Sequence, residues 1–425
     1  MSAPAARTVA LACLAAFASA CTNDTQPPPS AADAPVRLDT HIDIPLDYAT
    51  AATDPLTADL QVNLTKMAAG GLDAGFFIVF VGQTARTPEG YAQAAADAET
   101  KFAAIHRMTE QLYPDRIELA YSAADVSRIA STGKLVAVIG VENGYSLGPN
   151  LERLDRFYEL GARYIGLVHD GDNDLARSAR PSAALGDPAD AGTDARGTQG
   201  AVAESSAGVS ALGAQAIARL NRLGVMVDVS HGSKQTALDA MRLSAAPVIA
   251  SHSAIASITA HARNLDDETL LALKANGGVV QVVAFDAYLK QQPAERSAAV
   301  RELRQRVGLT GDTRLSMLSA EQRATYDAGL REIDASWPPA TVVDLVDHID
   351  YAVKLIGIDH VGIASDFDGG GGITGWNDAA ETANVTAELE KRGYSRDDIG
   401  KIWSGNLLRV WREVEQKAAE LKAAR

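Results

Sequence analysis

Histidine and carboxylate side chains stand at the ends of several short apolar runs in this chain of 425 residues. His41 and Asp43 close one run as His-Ile-Asp, and Glu142 directly follows another, Leu-Val-Ala-Val-Ile-Gly-Val. His231 and His252 each end a further run. Imidazole nitrogens and carboxylate oxygens are ligands that suit zinc. These side chains could therefore bind metal, provided that the fold brings the ends of the runs together.

A pair of metal ions would give this group hydrolytic chemistry. A carboxylate between two ligand sets can bridge two metals, and metals about 3.5–4 Å apart can share and activate a hydroxide while they polarise a carbonyl. Residues two apart on a strand point to the same face, so His41 and Asp43 can bind one ion. Each residue alone has a structural alternative, such as a solvated or capping carboxylate. The coincidence of five favours a metal centre that hydrolyses amides.

Eight apolar runs alternate with longer amphipathic stretches, which is the pattern of repeated βα units. The predicted strands are 36–42, 74–81, 135–141, 164–168, 225–229, 248–250, 278–284 and 360–364. The predicted helices are 91–111, 151–160, 211–223, 236–243, 267–275, 342–356 and 379–392, and a final helix over 402–421 closes the outer layer. The pattern predicts an α/β fold, a (β/α)8 TIM-like barrel of the metal-dependent hydrolase type.

A barrel also explains how the five side chains would meet, since the carboxyl ends of its strands converge on one face. Residues 170–207 and 286–340 do not fit the repeat and are predicted to be long insertions in βα loops. The predicted barrel domain spans residues 36–425. The formal charge of −15, without a basic cluster among aromatics, argues against nucleic acid as a partner.

The first twenty residues have the layout of a secretory signal peptide, in which Arg7 precedes an apolar run and Ala-Ser-Ala. Cys21 follows directly, which predicts a bacterial lipoprotein anchored through a lipid on this cysteine. Ordinary cleavage at the same bond is the alternative, because Ala18 stands where Leu is usual. Residues 21–35 read as a tether. The protein is expected to be exported, to the periplasm or cell envelope, and to touch membrane only through that lipid.

Several consecutive motifs resemble those of the membrane dipeptidase (renal dipeptidase) family of zinc peptidases and occur in the same order. By this resemblance the chain would be a bacterial member of the family. The resemblance runs from about residue 39 to 414. The stretches that carry it are Asp39-Thr-His-Ile-Asp43, Gly140-Val-Glu-Asn-Gly144, Gly166-Leu-Val-His169, Leu223-Gly-Val-Met-Val-Asp-Val-Ser-His231, Ala246-Pro-Val-Ile-Ala-Ser-His-Ser253, Arg263-Asn264, Asp366-Phe-Asp-Gly369 and Gly405-Asn-Leu-Leu-Arg409.

The resemblance implies two zinc ions per chain. One would be held by His41, Asp43 and Glu142, and the other by Glu142, His231 and His252, with Glu142 and a hydroxide bridging them. It implies hydrolysis of dipeptides with a free C-terminal carboxylate, and it leaves a D-amino acid at the C-terminal position open. A homodimer is implied in the same way. The sequence departs from the family pattern at Ile42, where many relatives carry Asn. The five ligands are kept, so this change concerns only the polarity of the residues behind them.

The resemblance also assigns three residues around the metals. His169 matches the residue that contacts the substrate carbonyl and stabilises the oxyanion; a further metal ligand or a core histidine are its alternatives. Arg263 matches the clamp for the terminal carboxylate. Asp366 matches the carboxylate that moves a proton from water to the leaving amine. Asp368 is its rival, because Asp-x-Asp offers two carboxylates on one face.

Two other functions remain open from the sequence. The same dinuclear site could act on an N-acyl amino acid or a lactam, and Arg263 favours a free carboxylate in either case. A barrel that binds ligand without turnover would have lost a ligand or the proton carrier, and none is lost. The glycines at 369–372 are predicted to give loop flexibility, since no phosphate-binding strand-loop-helix pattern accompanies them.

Overall fold

The computed structural model describes residue 1 and residues 35–185, 187, 208–309 and 318–424, in which parallel strands alternate with helices. The strands are β1 (Leu38–Asp43), β2 (Ala74–Phe80), β3 (Ile117–Leu119), β4 (Leu135–Glu142), β5 (Ala162–Gly166), β6 (Met226–Asp228), β7 (Ile249–Ser253), β8 (Val279–Val283) and β9 (Val361–Ala364).

The α-helices among these residues are α1 (Leu64–Gly70), α2 (Pro88–Arg107), α3 (Ala123–Ala130), α4 (Arg153–Glu159), α5 (Ala211–Leu223), α6 (Lys234–Leu243), α7 (Asp267–Asn276), α8 (Asp286–Leu289), α9 (Ala294–Arg306), α10 (Ala320–Ser336), α11 (Val342–Ile356), α12 (Ala383–Lys391), α13 (Arg396–Gly400) and α14 (Asn406–Ala423). Within the described ranges, no helix is both long and apolar enough to cross a membrane.

Eight of the strands form a barrel in the order β1-β2-β4-β5-β6-β7-β8-β9, and every pairing between neighbours is parallel. The predicted TIM-like barrel is confirmed, and each predicted strand corresponds to one barrel strand. The short β3 was not predicted; it pairs with the first half of β4, from Leu135 to Ala137. Three residues carry too little periodicity to be recognised as a strand.

The barrel closes between β1 and β9 through few backbone contacts. Ile42 and Phe367 form an isolated parallel bridge, in which the Asp43 amide donates to the Phe367 carbonyl at 2.9 Å. Nearer the start of β1, a side chain makes the contact that a backbone carbonyl would make in a regular sheet. Asp39 Oδ1 accepts a hydrogen bond from the Ser365 amide at 2.9 Å. This closure sets the end of β1 beside the residues that follow β9.

The apolar core has two layers, because alternate residues of each strand face opposite sides. Phe77 and Val79 of β2 face outward and belong to the same cluster as Phe102 and Ile105 of α2. Phe76 faces the barrel interior with the first residues of other strands. Trp411 of α14 lies 6.1 Å from the Phe76 ring, so the C-terminal helix covers the amino end of the barrel as well as joining the outer layer.

Helix ends follow from their sequence. Ser210 and Asp266 accept hydrogen bonds from backbone amides as N-caps of α5 and α7, and Gly224 and Gly277 end these helices in the left-handed conformation.

The short helices α1 and α3 were not predicted. The insertion predicted at 286–340 contains α8, α9 and α10, whereas residues 186 and 188–207 of the other insertion lie outside the described residues. The predicted signal peptide, tether and Cys21 lie outside them too.

Candidate metal centre and active site

The carboxyl end of the barrel brings the five predicted ligands together. His41 and Asp43 lie in β1, Glu142 is the last residue of β4, and His252 lies in β7. His231 follows β6 by three residues. All five are buried, with at most 9% of the residue surface exposed. Strand ends of a parallel barrel converge here, so residues far apart in sequence become neighbours.

Glu142 lies between two groups of side chains. Its Oε2 is 3.6 Å from His41 Nε2, and His41 Nε2 is 3.4 Å from Asp43 Oδ2. Its Oε1 is 3.0 Å from His231 Nε2 and 3.3 Å from His252 Nε2. We name His41 and Asp43 the first ligand group, and His231 and His252 the second ligand group. One carboxylate therefore presents a different oxygen to each group, as a bridging ligand would.

The chemistry of this cluster fits bound cations. The Nε2 atom of His41 is buried and has no hydrogen-bond partner among the described residues. The Nε2 atoms of His231 and His252 face each other at 2.9 Å. Three sets of possible ligand atoms lie within 4.8 Å of one another: His41, Glu142 and His252; Glu142, His169 and His231; and His41, Asp43 and Asp366. Nitrogen and oxygen donors of this kind suit zinc.

The electrostatics of the site also favour positive charge. Burial raises the pKa of Asp366 well above its usual value, and the carboxylates of Asp43 and Glu142 raise it further. Burial lowers the pKa of His231 to about 3, with Arg263 and His169 contributing in the same direction. A neutral imidazole with a free lone pair is the form that binds metal. Buried carboxylates without a counter-charge are costly, which a bound cation would offset.

The ring orientation of His41 is fixed by Tyr164. His41 Nδ1 lies 2.9 Å from the Tyr164 hydroxyl, which donates to the Thr40 carbonyl at 3.2 Å. The hydroxyl therefore accepts from Nδ1–H, which turns Nε2 toward Asp43 and Glu142. Gly140 makes room for this ring, since a Cβ there would be 2.4 Å from the Tyr164 Cζ.

The second ligand group has its own partners. His252 Nδ1 lies 2.8 Å from Ser251 Oγ, which donates to Asp228 Oδ2 at 2.7 Å. His231 Nδ1 lies 3.3 Å from Asp170 Oδ1. Each histidine thus has a hydrogen-bond acceptor at Nδ1, which leaves its Nε2 free for metal.

Asp366 and Asp368 separate, contrary to the expectation that they share one face. Both have positive φ, 58° and 63°, so the alternation of an extended strand does not apply to them. Asp366 Oδ1 lies 3.9 Å from His41 Nε2. The oxygens of Asp368 instead accept the amides of Gln61 at 2.9 Å and Val62 at 3.0 Å. Asp368 therefore holds a loop, whereas Asp366 lies in the site.

Two of the glycines after Asp366 allow close approach of neighbouring atoms, which the sequence did not indicate. A Cβ on Gly369 would lie 2.2 Å from Asp43 Oδ2 and 2.6 Å from Asp366 Oδ1. A Cβ on Gly371 would be 1.9 Å from the Ser365 carbonyl oxygen. Any side chain at these positions would therefore displace the carboxylates or the backbone that carries them.

His169 lies at the edge of the second ligand group. Its ring centroid is 4.0 Å from that of His231 and 4.7 Å from that of Phe80, and its Nε2 is 3.9 Å from Glu142 Oε1. Its side chain keeps 23% of its surface exposed, unlike the ligand histidines. A partly exposed histidine in this position can donate to a substrate bound beside Glu142, and the partial exposure argues against a core histidine.

Arg263 is a buried cation beside the second ligand group. It is 2% exposed, and its Nη2 donates to the His252 carbonyl at 3.1 Å. Its Cζ lies 5.5 Å from the Tyr288 ring centroid, and its Nε has no partner. No carboxylate among the described residues forms an ion pair with it. A buried guanidinium without a counter-charge is suited to bind an anion.

The sequence of residues 32–425 matches the family described as membrane dipeptidase, peptidase family M19. The chain belongs to the M19 membrane dipeptidase family. The fold and the dipeptidase class inferred from the motifs are thereby confirmed, and the chain is a hydrolase of the metallopeptidase type.

Two similar proteins agree with this membership. The dipeptidase tcpJ of Claviceps purpurea is 30% identical over 373 residues, which are 86% of this chain and 72% of that protein. The structure of the probable dipeptidase PvdM from Pseudomonas aeruginosa is 36% identical, with a TM-score of 0.74, and the match covers 90% of this chain and 96% of that one.

A more distant structure shares the fold. It is a metallo peptidase from Rhodobacter sphaeroides, liganded with a phosphinate mimic of the dipeptide L-Ala-D-Ala. It is 22% identical to this chain, with a TM-score of 0.64, and the match covers 90% of this chain and all of that one.

Some residues of the M19 site were missed by the sequence reasoning. Tyr164 begins a predicted strand and is assigned no role from the sequence; a buried tyrosine needs a hydrogen-bond partner, and this could have been a signal. Asp228 precedes His231 by three residues, but nothing in the sequence shows that it reaches Ser251 of the next strand. Asp170 lies in a loop rich in glycine and aspartate, where a single carboxylate has no periodicity to mark it.

Proposed function

We propose that this M19 dipeptidase uses two zinc ions, held by the two ligand groups and bridged by Glu142, to hydrolyse dipeptides that carry a free C-terminal carboxylate. The single observation that carries the proposal is the position of Glu142. Each of its oxygens faces a different group: the buried Nε2 of His41 in the first has no partner among the described residues, and the Nε2 atoms of His231 and His252 in the second face each other at 2.9 Å. When bound, the ions would supply Lewis acidity and lower the pKa of a water molecule.

Substrate binding is assigned to Arg263. Its guanidinium is buried beside His252 and lacks a carboxylate partner among the described residues, so a substrate carboxylate would supply the missing charge. The planar guanidinium can bind both oxygens of a carboxylate at once. This contact fixes the C-terminal end of the substrate and leaves the scissile carbonyl toward Glu142.

Stabilisation of the oxyanion is assigned to His169. Its partly exposed imidazole lies against His231, where it can donate to the carbonyl oxygen as negative charge develops there. The alternative that His169 is a further ligand is supported by its distance of 3.9 Å from Glu142 Oε1. Replacing His169 by Asn distinguishes them, because an oxyanion donor can be lost with the zinc content unchanged.

Proton transfer is assigned to Asp366. Its carboxylate lies 3.9 Å from His41 Nε2, whereas both oxygens of Asp368 are held by backbone amides. Asp366 would take a proton from the attacking water and deliver it to the nitrogen of the leaving amine. One residue then serves as base in the first half of the reaction and as acid in the second.

Hydrolysis of a panel by the purified mature chain tests this proposal. The panel holds L-L dipeptides, L-D dipeptides and N-acyl amino acids, each measured with and without a chelator and after zinc is returned. We expect hydrolysis of dipeptides that stops on chelation and recovers with zinc. Activity on acyl amino acids alone would favour the alternative amidohydrolase, and activity unchanged by thorough metal removal would contradict the metal assignment.

We propose further that the chain is exported, anchored through a lipid on Cys21, and active as a homodimer. The support is the layout of residues 1–21 and the family resemblance described above. Mass spectrometry of the mature amino terminus would show a lipidated cysteine, and an unmodified terminus would contradict the anchor. Light scattering of the purified chain measures the dimer, and a monomeric mass at micromolar concentration would contradict it.

A further inference from the structure

One ligand histidine is oriented by an ion pair in a loop instead of by a barrel residue. Asp170 Oδ1 lies 3.3 Å from His231 Nδ1 and accepts a hydrogen bond from Arg180 Nε at 2.9 Å. Arg180 Nη2 donates to the other carboxylate oxygen, so the pair is bidentate. A bidentate arginine fixes the plane of a carboxylate more closely than a lysine would.

The loop from residue 170 to 180 is tied to the backbone around His231. The Gly171 amide donates to the Arg180 carbonyl at 2.8 Å, which joins the two ends of the loop. The Ala179 amide donates to the His231 carbonyl, also at 2.8 Å, and Ser178 forms an antiparallel bridge with Gly232. These backbone hydrogen bonds therefore fix the position of the ion pair relative to His231 without involving the ligand atoms.

The other two ligand histidines have partners of a different kind. Tyr164, beside His41, and Ser251, beside His252, are both neutral, fully buried and carried by barrel strands. Asp170 is charged, and its side chain is 37% exposed, while that of Arg180 is 43% exposed. A carboxylate behind a ligand imidazole raises its basicity and fixes its tautomer.

We propose that the Asp170–Arg180 ion pair is a positioning device for His231, and that the affinity of the second ligand group for zinc depends on it while that of the first does not. This inference rests on the proposed two-zinc function. Arg180 acts on Asp170, Asp170 on His231, and His231 on the metal, so neither member of the pair is itself a ligand or a catalytic residue.

Zinc affinity of the apoprotein, measured by competition with a chromophoric chelator, tests the proposal. The variants are Asp170→Asn, Arg180→Gln and Arg180→Lys. The matched control is Arg128→Gln, which removes an arginine that donates through Nε and Nη2 to Oδ1 of Asp125 on α3, a helix that holds none of the site residues. Thermal unfolding of each apoprotein is recorded alongside, so that a loss of fold is recognised.

We expect two bound zinc ions in the unaltered chain. In Asp170→Asn one of the two binding steps should lose about tenfold to a hundredfold in affinity, as is usual for a partner behind a ligand. Arg180→Gln should lose less, Arg180→Lys should recover part of that loss, and Arg128→Gln should match the unaltered chain. Because Arg180→Gln leaves the carboxylate in place, it remains informative if Asp170→Asn fails to fold.

Two backgrounds assign the effect to one ligand group. With Asp43→Asn, which disables the first group, adding Asp170→Asn should weaken the remaining zinc. With His252→Asn, which disables the second group, adding it should change nothing. Equal effects in both backgrounds, or none in either, would overturn the inference and leave two-zinc binding intact. Fewer than two zinc ions in the unaltered chain would overturn the proposed function itself, and the inference with it.

Discussion

The two ligand groups differ in what holds them. His41 and Asp43 lie in one strand, and Tyr164 of another barrel strand orients His41. In the second group, His231 lies in the loop after β6 with a φ of 66°, and its partner Asp170 lies in a partly exposed loop. The first group is thus built entirely from barrel strands. The second depends in part on loops, which are the variable parts of a barrel enzyme.

The surrounding residues are divided in the same way. Asp366 lies 3.9 Å from His41 of the first group. His169 and Arg263 lie against the second group, with the His169 ring 4.0 Å from His231 and the Arg263 guanidinium bound to the His252 carbonyl. In the proposed function, proton transfer therefore takes place beside the first ligand group, and contact with the substrate takes place beside the second.

The largest effect is expected from Glu142→Gln, which disables both groups at once. An amide lacks the charge and the second acceptor oxygen, so we expect less than one zinc per chain and a loss of kcat/KM of at least about 10³-fold, more than the roughly 10–100-fold of a partner behind a ligand. Elemental analysis and dipeptide hydrolysis measure this. Glu159→Gln, on the exposed end of α4, is the control. Two zinc ions retained in Glu142→Gln would contradict the bridging assignment.

The next effect separates Asp366 from Asp368. Asp366→Asn should lower kcat by roughly 10²–10⁴-fold with zinc content kept, because the proton carrier is lost. Asp368→Asn leaves kcat close to normal and lowers the melting temperature instead, since it weakens the hydrogen bonds to Gln61 and Val62. If the two variants exchanged these effects, the assignment of Asp366 would be wrong.

Arg263→Lys tests the substrate side. Lysine keeps the charge but not the planar pair of donors, so we expect KM to rise roughly tenfold to a hundredfold, equivalent to about 1.5–3 kcal/mol for a hydrogen bond to a charged group. The effect should disappear for dipeptide amides, which lack the free carboxylate. An equal loss on free and amidated dipeptides would place the role of Arg263 in folding instead.

Tyr164→Phe tests what holds the first ligand group. Removal of the hydroxyl takes away the partner of His41 Nδ1, and we expect zinc affinity at the first group to fall about tenfold to a hundredfold, with the second group unaffected. Gly140→Ala should have a similar effect, because its Cβ would displace the tyrosine ring. Loss at the second group in either variant would show that the two groups are not held independently.

The last prediction concerns the stability of the fold in acid and a histidine outside the site. Burial lowers the pKa of His348 to about 4, and its neutral ring accepts the Ile255 amide and donates to the Leu289 carbonyl. The unfolded chain takes up this proton below about pH 6.5 and the folded chain only below about pH 4. Stability should therefore fall by up to about 3 kcal/mol as pH drops through this window and stay level below it.

His348→Gln provides the test, since its amide can keep both hydrogen bonds without titrating. Urea unfolding of the apoprotein at several pH values should show a flatter decline between pH 6.5 and 4 in this variant. An unchanged decline would mean that other groups dominate the acid response.

The convergence of the five strand-end side chains could be predicted from the sequence, because each lies at the end of an apolar run and a barrel brings such ends together. The strands themselves shifted by a few residues: residues 164–168 were predicted where β5 is Ala162–Gly166. Such boundaries depend on pairing with neighbours that a single run does not reveal.

The residues behind the ligands could not be predicted in this way. Tyr164, Ser251 and Asp228 act through contacts between strands that are distant in sequence. The separation of Asp366 from Asp368 follows from two positive φ values in a turn, whereas the sequence pattern suggested an extended strand. The Asp170–Arg180 pair closes a loop whose path no periodicity indicates.

Anomalous diffraction at the zinc edge, from crystals of the zinc-loaded chain, would locate the metal ions themselves. We expect two peaks, one among His41, Asp43 and Glu142 and the other among Glu142, His231 and His252. A single peak, or a second peak away from Glu142, would contradict the two ligand groups and the bridge between them.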